Sequence, residues 1–508
     1  MDFRTYLQHD ATALAAAVAA GETTPHVLLD VALARNARVH ARVNAVCRLM
    51  EAEARAQLAV PSSLAGAPFG GVPFLLKDAV QDYAGVPTSL GSRALSRAPR
   101  RAAPARHSAI TRRFLDAGLV VFGKTNLPEL ALKGVTDPVA FGRTSNPWNL
   151  AHVPGGSSGG AAAAVAAGIA PMAAGSDGGG SIRIPAACCG LFGLRPSRGR
   201  VSVGPAIGEV WFGASSDGVV SRSVRDSARA LDVLAGAEPG DPFVVAPPEA
   251  SFETLAKRAP PRLRIGFTTV SPIGTVVHPE AVAAVRDAAT LLAGLGHDVV
   301  EAAPDIDGAR LAQSYLHVYF GQVAAAVRNA RSEGVRDADF ELLTRVLARL
   351  GEAVSAGRLT LQLSHWNGFS RALAEFHADH DVLLTPTLAH PPIRHGVGDP
   401  PPVQRAALSF LLGTGLLGAM ARLGWLDSTI ETIANDNLRY VPFTQLANLT
   451  GTPAMSVPLH WCADGLPLGV HFVGRPGQEA MLLQLATQLE RARPWFDQLP
   501  DWVLAEAA

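Results

Sequence analysis

Lysine is nearly missing from this chain of 508 residues: of 44 basic residues only four are lysines, Lys77, Lys124, Lys133 and Lys257. Arginine replaces lysine as a surface charge, but it keeps its proton near neutral pH and cannot act as a base, whereas a buried lysine can. Each surviving lysine therefore needs a reason. Cysteine is equally scarce. Cys47, Cys188, Cys189 and Cys462 are scattered, with one adjacent pair and no C-x-x-C spacing. That argues against a disulfide framework and against zinc, and it fits a reducing cytoplasm. Charged residues make up only 17%, aromatics 6%, and the formal net charge is zero, so the basic footprint of a nucleic-acid binder is absent. The one dense basic stretch, Arg93 to Arg113, reads as a solvated loop. Long apolar runs are missing too. Ala11 to Ala20 is preceded by Asp2 and Asp10 and followed by Gly21-Glu22, so it reads as a first helix and not a signal sequence. Phe410 to Trp425 carries Arg422 and falls short of the ~18 apolar residues of a membrane span; it reads as a buried or lid helix.

What remains is a hydrophobic content of 48%, rich in alanine and glycine. That composition suits close helix–sheet packing. Short apolar runs such as Val72 to Leu76, Leu119 to Phe122, Arg264 to Phe267, Asp381 to Leu384 and Val470 to Val473 predict strands. They alternate with helical stretches: residues 11–58, Ile110 to Ala117, Ala161 to Ile169, Ser223 to Leu234, Glu280 to Leu295, most of 305–380, and Glu479 to Arg491. Asp226 and Arg229 are placed on the wet side of the helix from Ser223. The proline-rich segment from Leu388 to Arg405 reads as loop, and Glu238 to Pro261 as linker or surface loop. Alternation of this kind gives an α/β fold class.

Three glycine signals compete for the chemistry. Gly118-Leu119-Val120-Val121-Phe122-Gly123-Lys124-Thr125 has the spacing of a phosphate-binding loop. Its four middle residues are strand-forming, though, and no helix begins at the lysine. Gly155-Gly156-Ser157-Ser158-Gly159 satisfies the nucleophile-elbow pattern of α/β-hydrolases, but the residues before it, Asn146 to Pro154, read as loop where that fold needs a strand. An esterase of that type using Ser157 stands as one alternative. The third is Asp177-Gly178-Gly179-Gly180-Ser181. Three glycines before a serine let successive N–H groups face one concavity and hold an oxyanion, or simply make a tight turn. Lys77 lies in an apolar run ending Leu75-Leu76-Lys77-Asp78, so burial would lower its pKa and make it a base.

Taken together these segments resemble the amidase signature family. The resemblance rests on Gly71 to Asp78, Gly123 to Asn126, Asn146-Pro147-Trp148, the double-serine loop, Asp177 to Pro185, Gly190 to Pro196, Gly218 to Asp226, Gly451 to Ala454 and Gly465 to Val470. It covers nearly the whole chain and is weakest over 240–440. It implies one large α/β domain over residues 1–508: a mixed central sheet with helices on both faces. The catalytic core would span about 60–235 and 440–490, with a variable substrate-pocket region at about 240–440. It implies Ser181 as nucleophile, Ser157 as bridging serine behind a cis Gly156–Ser157 peptide, and Lys77 as base. Gly178, Gly179, Gly180 and Ser181 would supply the oxyanion hole. Ser158 would support the loop, and Asp177 and Arg183 would pair beside the glycines. Many relatives carry a bulkier residue at Gly178 or Gly179, and three glycines here widen or loosen the hole. Cys188 and Cys189 read as small buried residues.

Within the family the chain looks most like the branch of 6-aminohexanoate-cyclic-dimer hydrolase, aryl acylamidases and urethane-cleaving enzymes. The implied reaction is hydrolysis of a hydrophobic amide, anilide, cyclic amide or carbamate. Tyr315, Tyr319, Phe320 and the apolar 408–430 stretch line the pocket, or else they are core. The implied partner is a small-molecule amide or carbamate, with no nucleic acid, membrane, metal or organic cofactor; a homodimer is left open. A glutamine-dependent amidotransferase subunit working with partner subunits is the other alternative. A non-catalytic scaffold is disfavoured by the intact Lys77, Ser157 and Ser181.

Overall fold

Every residue of β2 (Pro73–Lys77) is buried. Its side chains divide by parity: Phe74 and Leu76 join one apolar cluster and Leu75 the other. An all-apolar strand with a core on each face belongs in a sheet covered on both sides. A computed structural model describes all residues except 61–63, 65, 99–102, 423–437 and 508, and it shows that sheet. Its strands are β1 (Val46–Leu49), β2, β3 (Val120–Thr125), β4 (Met172–Asp177), β5 (Phe192–Arg195), β6 (Ser216–Ser221), β7 (Arg264–Phe267), β8 (Asp298–Glu301), β9 (Val382–Pro386), β10 (Ala454–Trp461) and β11 (Pro467–Val473). They lie in the order β1-β3-β2-β4-β6-β5-β10-β11-β9-β7-β8. β3, β2 and β4 run parallel, as do β9, β7 and β8. The strands between these groups are antiparallel. The sheet is mixed, as the sequence led us to expect.

One face is covered by the helix Gly159–Ala166, all of whose residues are buried. It approaches so closely that a Cβ on Gly160 would overlap the backbone of Asn126. Small residues are therefore what this layer requires. On the other face Phe74 packs on Phe114, with ring centroids 4.5 Å apart. Burying one such ring contributes roughly 1.5–3 kcal/mol. A helical layer formed by Gly308–Ser332, Leu342–Ala353 and Ala356–Asp379 stands beyond the sheet and carries its own apolar cluster.

Several local expectations need correction. Residues 11–58 are not all helical, because β1 interrupts them and pairs antiparallel with β3. β4, β5 and β6 have little large-apolar content and give no strand signal in the sequence. The helix Pro402–Gly413 begins inside the predicted loop, and Asp501–Ala507 follows the expected last helix. The described part of the Phe410 to Trp425 stretch, expected as a buried or lid helix, is divided between the helices Pro402–Gly413 and Leu416–Arg422 and is only partly buried. Phe410 is exposed, while Leu408, Leu412 and Leu417 pack on the helical layer; residues 423–430 lie outside the described residues. Among the described residues no helix is long and apolar enough to cross a membrane. The basic stretch is largely engaged: Arg112 and Arg113 both meet Glu238 at 2.7 Å and Arg97 meets Asp339 at 3.4 Å, while Arg100 and Arg101 lie outside the described residues.

Asp226 is not on a wet face. It is buried, and its carboxylate accepts hydrogen bonds from Ala11 N (2.7 Å), Thr12 N (2.9 Å) and Thr12 Oγ1 (2.7 Å). It thus caps the helix Ala11–Ala19 from a distant part of the chain. Asp10, the N-cap residue of that helix, reaches back to Ser223 Oγ at 2.7 Å and to Arg225. Removing a buried acceptor leaves its donors unsatisfied, at about 1–3 kcal/mol. Asp226→Ala is expected to lower stability by roughly that amount in a denaturant titration, with KM for an amide substrate unchanged.

Candidate active site

Lys77 ends β2 with its side chain fully buried on the same face as the helix Gly159–Ala166. Its Nζ lies 2.8 Å from Ser157 Oγ, 2.9 Å from Ser158 Oγ and 2.9 Å from Ser176 Oγ. Burial pushes this amine down to about 7, against the opposing pull of the Asp217 and Asp177 carboxylates. A lysine that can shed its proton near neutrality is thus set among three hydroxyls.

The loop before Gly159 carries Ser157 behind a cis Gly156–Ser157 peptide, as the resemblance implied. Glycine is required on both preceding positions. Gly155 has φ +79°, and a Cβ there would lie 2.8 Å from Pro185 Cα; a Cβ on Gly156 would lie 2.7 Å from Lys133 O and from Val135 N. Ser158, expected to bond within its own loop, instead reaches out of it to Lys77 and to β4: its Oγ also lies 3.3 Å from both the N and the O of Ser176. No strand leads into this loop, and no histidine bonds Ser157 or Ser181 among the described residues. Both observations count against the α/β-hydrolase elbow. The phosphate-loop look-alike is β3 itself, and Lys124 is spent on Pro87 O (2.9 Å) and Thr88 Oγ1 (2.6 Å).

Ser181 stands at the end of the three glycines, half-buried. Its carbonyl accepts from Ser158 N at 3.2 Å, which ties the two serine loops together. Among the described residues its hydroxyl has no protein hydrogen bond, so the resting site joins Lys77 to Ser157 and leaves Ser181 Oγ free. The N–H groups of the glycine turn divide. Gly180 N donates to Asp177 Oδ1 at 2.7 Å, so this donor, expected in the oxyanion hole, is drawn inward to a carboxylate. The N–H groups of Gly178, Gly179 and Ser181 have no protein partner among the described residues. The Gly179 carbonyl is turned away from them, held by Thr444 Oγ1 (2.7 Å) and Gln445 Nε2 (3.1 Å).

Asp177 and Arg183 pair as expected. Arg183 Nε and Nη2 meet Asp177 Oδ2 and Oδ1 at 2.9 and 2.8 Å, with both side chains fully buried. Arg183 also donates to Thr444 O (2.9 Å) and Asn448 Oδ1 (2.7 Å), and Asn448 Nδ2 returns to Asp177 at 2.9 Å. The guanidinium holds the Asp177 carboxyl well below the usual range, despite its burial. His471 completes the clamp. Arg183 can only donate, so His471 Nε2, 2.9 Å away, accepts; burial and that cation keep the ring neutral.

Several residues escaped the sequence reading. Asp217 stands opposite Ser176 in the β4–β6 register. Gln81 bridges it to the lysine: Lys77 N donates to Gln81 Oε1 at 2.7 Å, and Gln81 Nε2 donates to Asp217 Oδ1 at 3.0 Å. Burial pushes the Asp217 carboxyl up to about 6. Ser176, Thr444, Gln445 and Asn448 were also missed. Of the expected pocket residues, Tyr315 reaches the site: its hydroxyl occupies the space a Cβ on Gly179 would need. The room left by three glycines is thus partly filled by a tyrosine. Trp211 lies beside Gly178 and 6.0 Å from the Tyr315 ring. Tyr319 stacks behind Tyr315 with its hydroxyl on Leu132 O at 2.6 Å, and Phe320 is fully buried in the helical cluster. Cys188 and Cys189 are buried and burial pushes both thiols up, which suits inert packing residues.

With this geometry in place, the chain was compared with known proteins. The amidase family profile matches residues 28–483. The chain is 40% identical over 496 residues to the putative amidase AmiB2 of Mycobacterium tuberculosis, covering 96% of this chain and 97% of that one. It is 36% identical over 507 residues to 6-aminohexanoate-cyclic-dimer hydrolase of Pseudomonas sp. strain NK87, covering 97% of each. A solved structure of 6-aminohexanoate cyclic dimer hydrolase superposes with a TM-score of 0.86 at 32% identity, covering 98% of this chain and 99% of that one.

Removing one partner of a fully buried ion pair leaves the other charge uncompensated, at about 3–5 kcal/mol. Asp177→Asn is therefore expected to destabilise the protein by about that amount in denaturant unfolding and to lower kcat through the loosened glycine turn. A variant unchanged in both would mean that the clamp is dispensable.

Proposed function

The chain belongs to the amidase signature family and is a hydrolase acting on carbon–nitrogen bonds, and from that premise we propose that it cleaves a hydrophobic amide through an acyl-enzyme on Ser181, with Ser157 and Lys77 as the proton relay. The observation that carries this reading is the 2.8 Å contact between Ser157 Oγ and a buried Lys77 whose amine sits near neutrality. A serine hydroxyl needs such a base to become a nucleophile. Neutral Lys77 accepts the Ser157 proton while Ser157 accepts that of Ser181, and Ser181 Oγ attacks the carbonyl carbon. The N–H groups of Gly178, Gly179 and Ser181 receive the developing oxyanion; losing one such donor costs about 2.7–4 kcal/mol. The relay then runs backward and protonates the amine as the C–N bond breaks. Water enters by the same route, attacks the ester on Ser181 and releases the acid. Every step uses groups of the chain itself.

The substrate class follows from what stands beside the glycine turn. Trp211 and Tyr315 form an aromatic wall beside Gly178 and Gly179, with the Tyr315 hydroxyl turned toward Gly179 and Tyr315 drawn from the 240–440 region. Such a wall favours an anilide, a cyclic amide or an aryl carbamate over glutamine. The likeness to 6-aminohexanoate-cyclic-dimer hydrolase supports the same direction.

The test is hydrolysis of a panel by the purified chain: an anilide, a cyclic ω-amino-acid dimer, an aryl carbamate and glutamine. Ser181→Ala and Lys77→Ala are each expected to abolish turnover of the preferred member. Activity surviving Ser181→Ala would sink the mechanism, and a preference for glutamine would favour the amidotransferase reading. The pH profile is a separate check. The base is the neutral amine, so kcat/KM is expected to rise with pH, about tenfold per unit below an apparent pKa near 7, and to level off above it.

A further inference from the structure

Away from the catalytic loop, a second group of reactive side chains meets where β10 ends. His460 and Cys462 are two positions apart, His460 within the strand and Cys462 just past its end, so both side chains turn to the same side. The helix Pro279–Gly294 begins beside them and contributes Glu280 from its first turn. His460 Nε2 lies 2.9 Å from Glu280 Oε2. The ligand atoms of Glu280, His460 and Cys462 all lie within 4.8 Å of one another. The backbone that carries Glu280 and Cys462 is held in place. His278 caps the helix by accepting from Glu280 N at 3.2 Å. Cys462 N donates to Leu466 O at 2.8 Å, which closes the turn between β10 and β11. The thiol is nearly buried, whereas the His460 and Glu280 side chains keep 18% and 28% of their exposure, so the group opens to solvent on one side.

We propose that Glu280, His460 and Cys462 form a binding site for a borderline-soft divalent cation of the zinc type. One sulfur, one imidazole nitrogen and one carboxylate oxygen are a zinc donor set, and three protein ligands leave a fourth position for water. Tetrahedral ligation at about 2.0–2.3 Å holds ligand atoms roughly 3.3–3.6 Å apart, so the widest separation in the cluster closes by up to about 1.5 Å and the His460–Glu280 contact opens slightly. Charge balances as well. The cation meets the Glu280 carboxylate and a Cys462 thiolate, and binding releases the thiol proton to water. Thiolate and imidazole together select zinc or cobalt over magnesium or calcium. A C-x-x-C pattern search cannot find this set: its cysteine and histidine share a strand end, and its carboxylate comes from 180 residues away. Bound there, the cation would pin the helix Pro279–Gly294 to the β10–β11 hairpin, far in sequence from Lys77, Ser157 and Ser181.

The chelator-treated full chain is titrated with Co²⁺ and followed by absorption. One equivalent is expected to bind and to produce the near-ultraviolet sulfur-to-cobalt charge-transfer band, which Zn²⁺ then bleaches and Mg²⁺ does not. Cys462→Ser and His460→Gln are expected to lose the band while keeping the parent melting curve in chelator and the parent amidase activity. Cys47→Ser, a control on the half-buried thiol outside the group, is expected to retain it. Zn²⁺ should raise the melting temperature of the parent and of Cys47→Ser, and leave both site variants unmoved. Absence of the band in the parent, or its survival in Cys462→Ser, overturns the proposal. Cobalt bound without charge transfer also overturns it, since that would be adventitious imidazole or carboxylate binding.

Discussion

The constraint on which the site depends is the desolvation of one amine. Lys77 is held among apolar side chains and hydroxyls, and among the described residues no carboxylate is in direct contact with its amine. A carboxylate placed there would raise the pKa of the amine and hold its proton. The nearest acids are kept one step removed. Asp217 reaches the lysine only through Gln81, and Asp177 is consumed by Arg183. The parallel pairing of β2 with β4 puts Lys77 beside Ser176, and the antiparallel partner β6 then fixes Asp217. Strand order and protonation state are thus parts of one arrangement.

A second buried pair has the opposite task. Arg183 and Asp177 remain charged because they are bidentate and because Thr444, Asn448 and His471 satisfy what is left over. A buried ion pair is weak evidence for stability in itself. Here it fixes a shape. Asp177 takes the Gly180 N–H, and Thr444 and Gln445 take the Gly179 carbonyl. The N–H groups of Gly178, Gly179 and Ser181 are thereby left without a protein partner among the described residues. Donors set before the reaction stabilise an oxyanion without reorganising.

The meeting of Lys77 with Ser157 and the Asp177–Arg183 pair were legible in the sequence because these residues sit in local glycine or apolar contexts that signal themselves. The mixed sheet followed from alternation plus the family resemblance, but β4 to β6 did not, since runs such as Met-Ala-Ala-Gly-Ser-Asp lack the bulky β-branched residues that mark a strand. Asp217 gains its role from strand register alone. Thr444, Gln445 and Asn448 meet the glycine turn across some 265 residues of sequence. Asp226 was assigned to water because a carboxylate on an amphipathic helix normally is; only the tertiary contact with residues 11 and 12 reverses that. Tyr315, Tyr319 and Phe320 were expected to line the pocket or else to be core, and helix rotation decides that only the first reaches the glycines.

The clamp that shapes the glycine turn comes from residues 444–448 and 471, near the end of the chain. During synthesis the lysine and both serines leave the ribosome long before these residues do. A nascent chain can therefore pair β2 with β4 and still hold a slack, unlocked glycine loop. The shape of the glycine turn is therefore set only once the β10–β11 hairpin and the residues before it are in place.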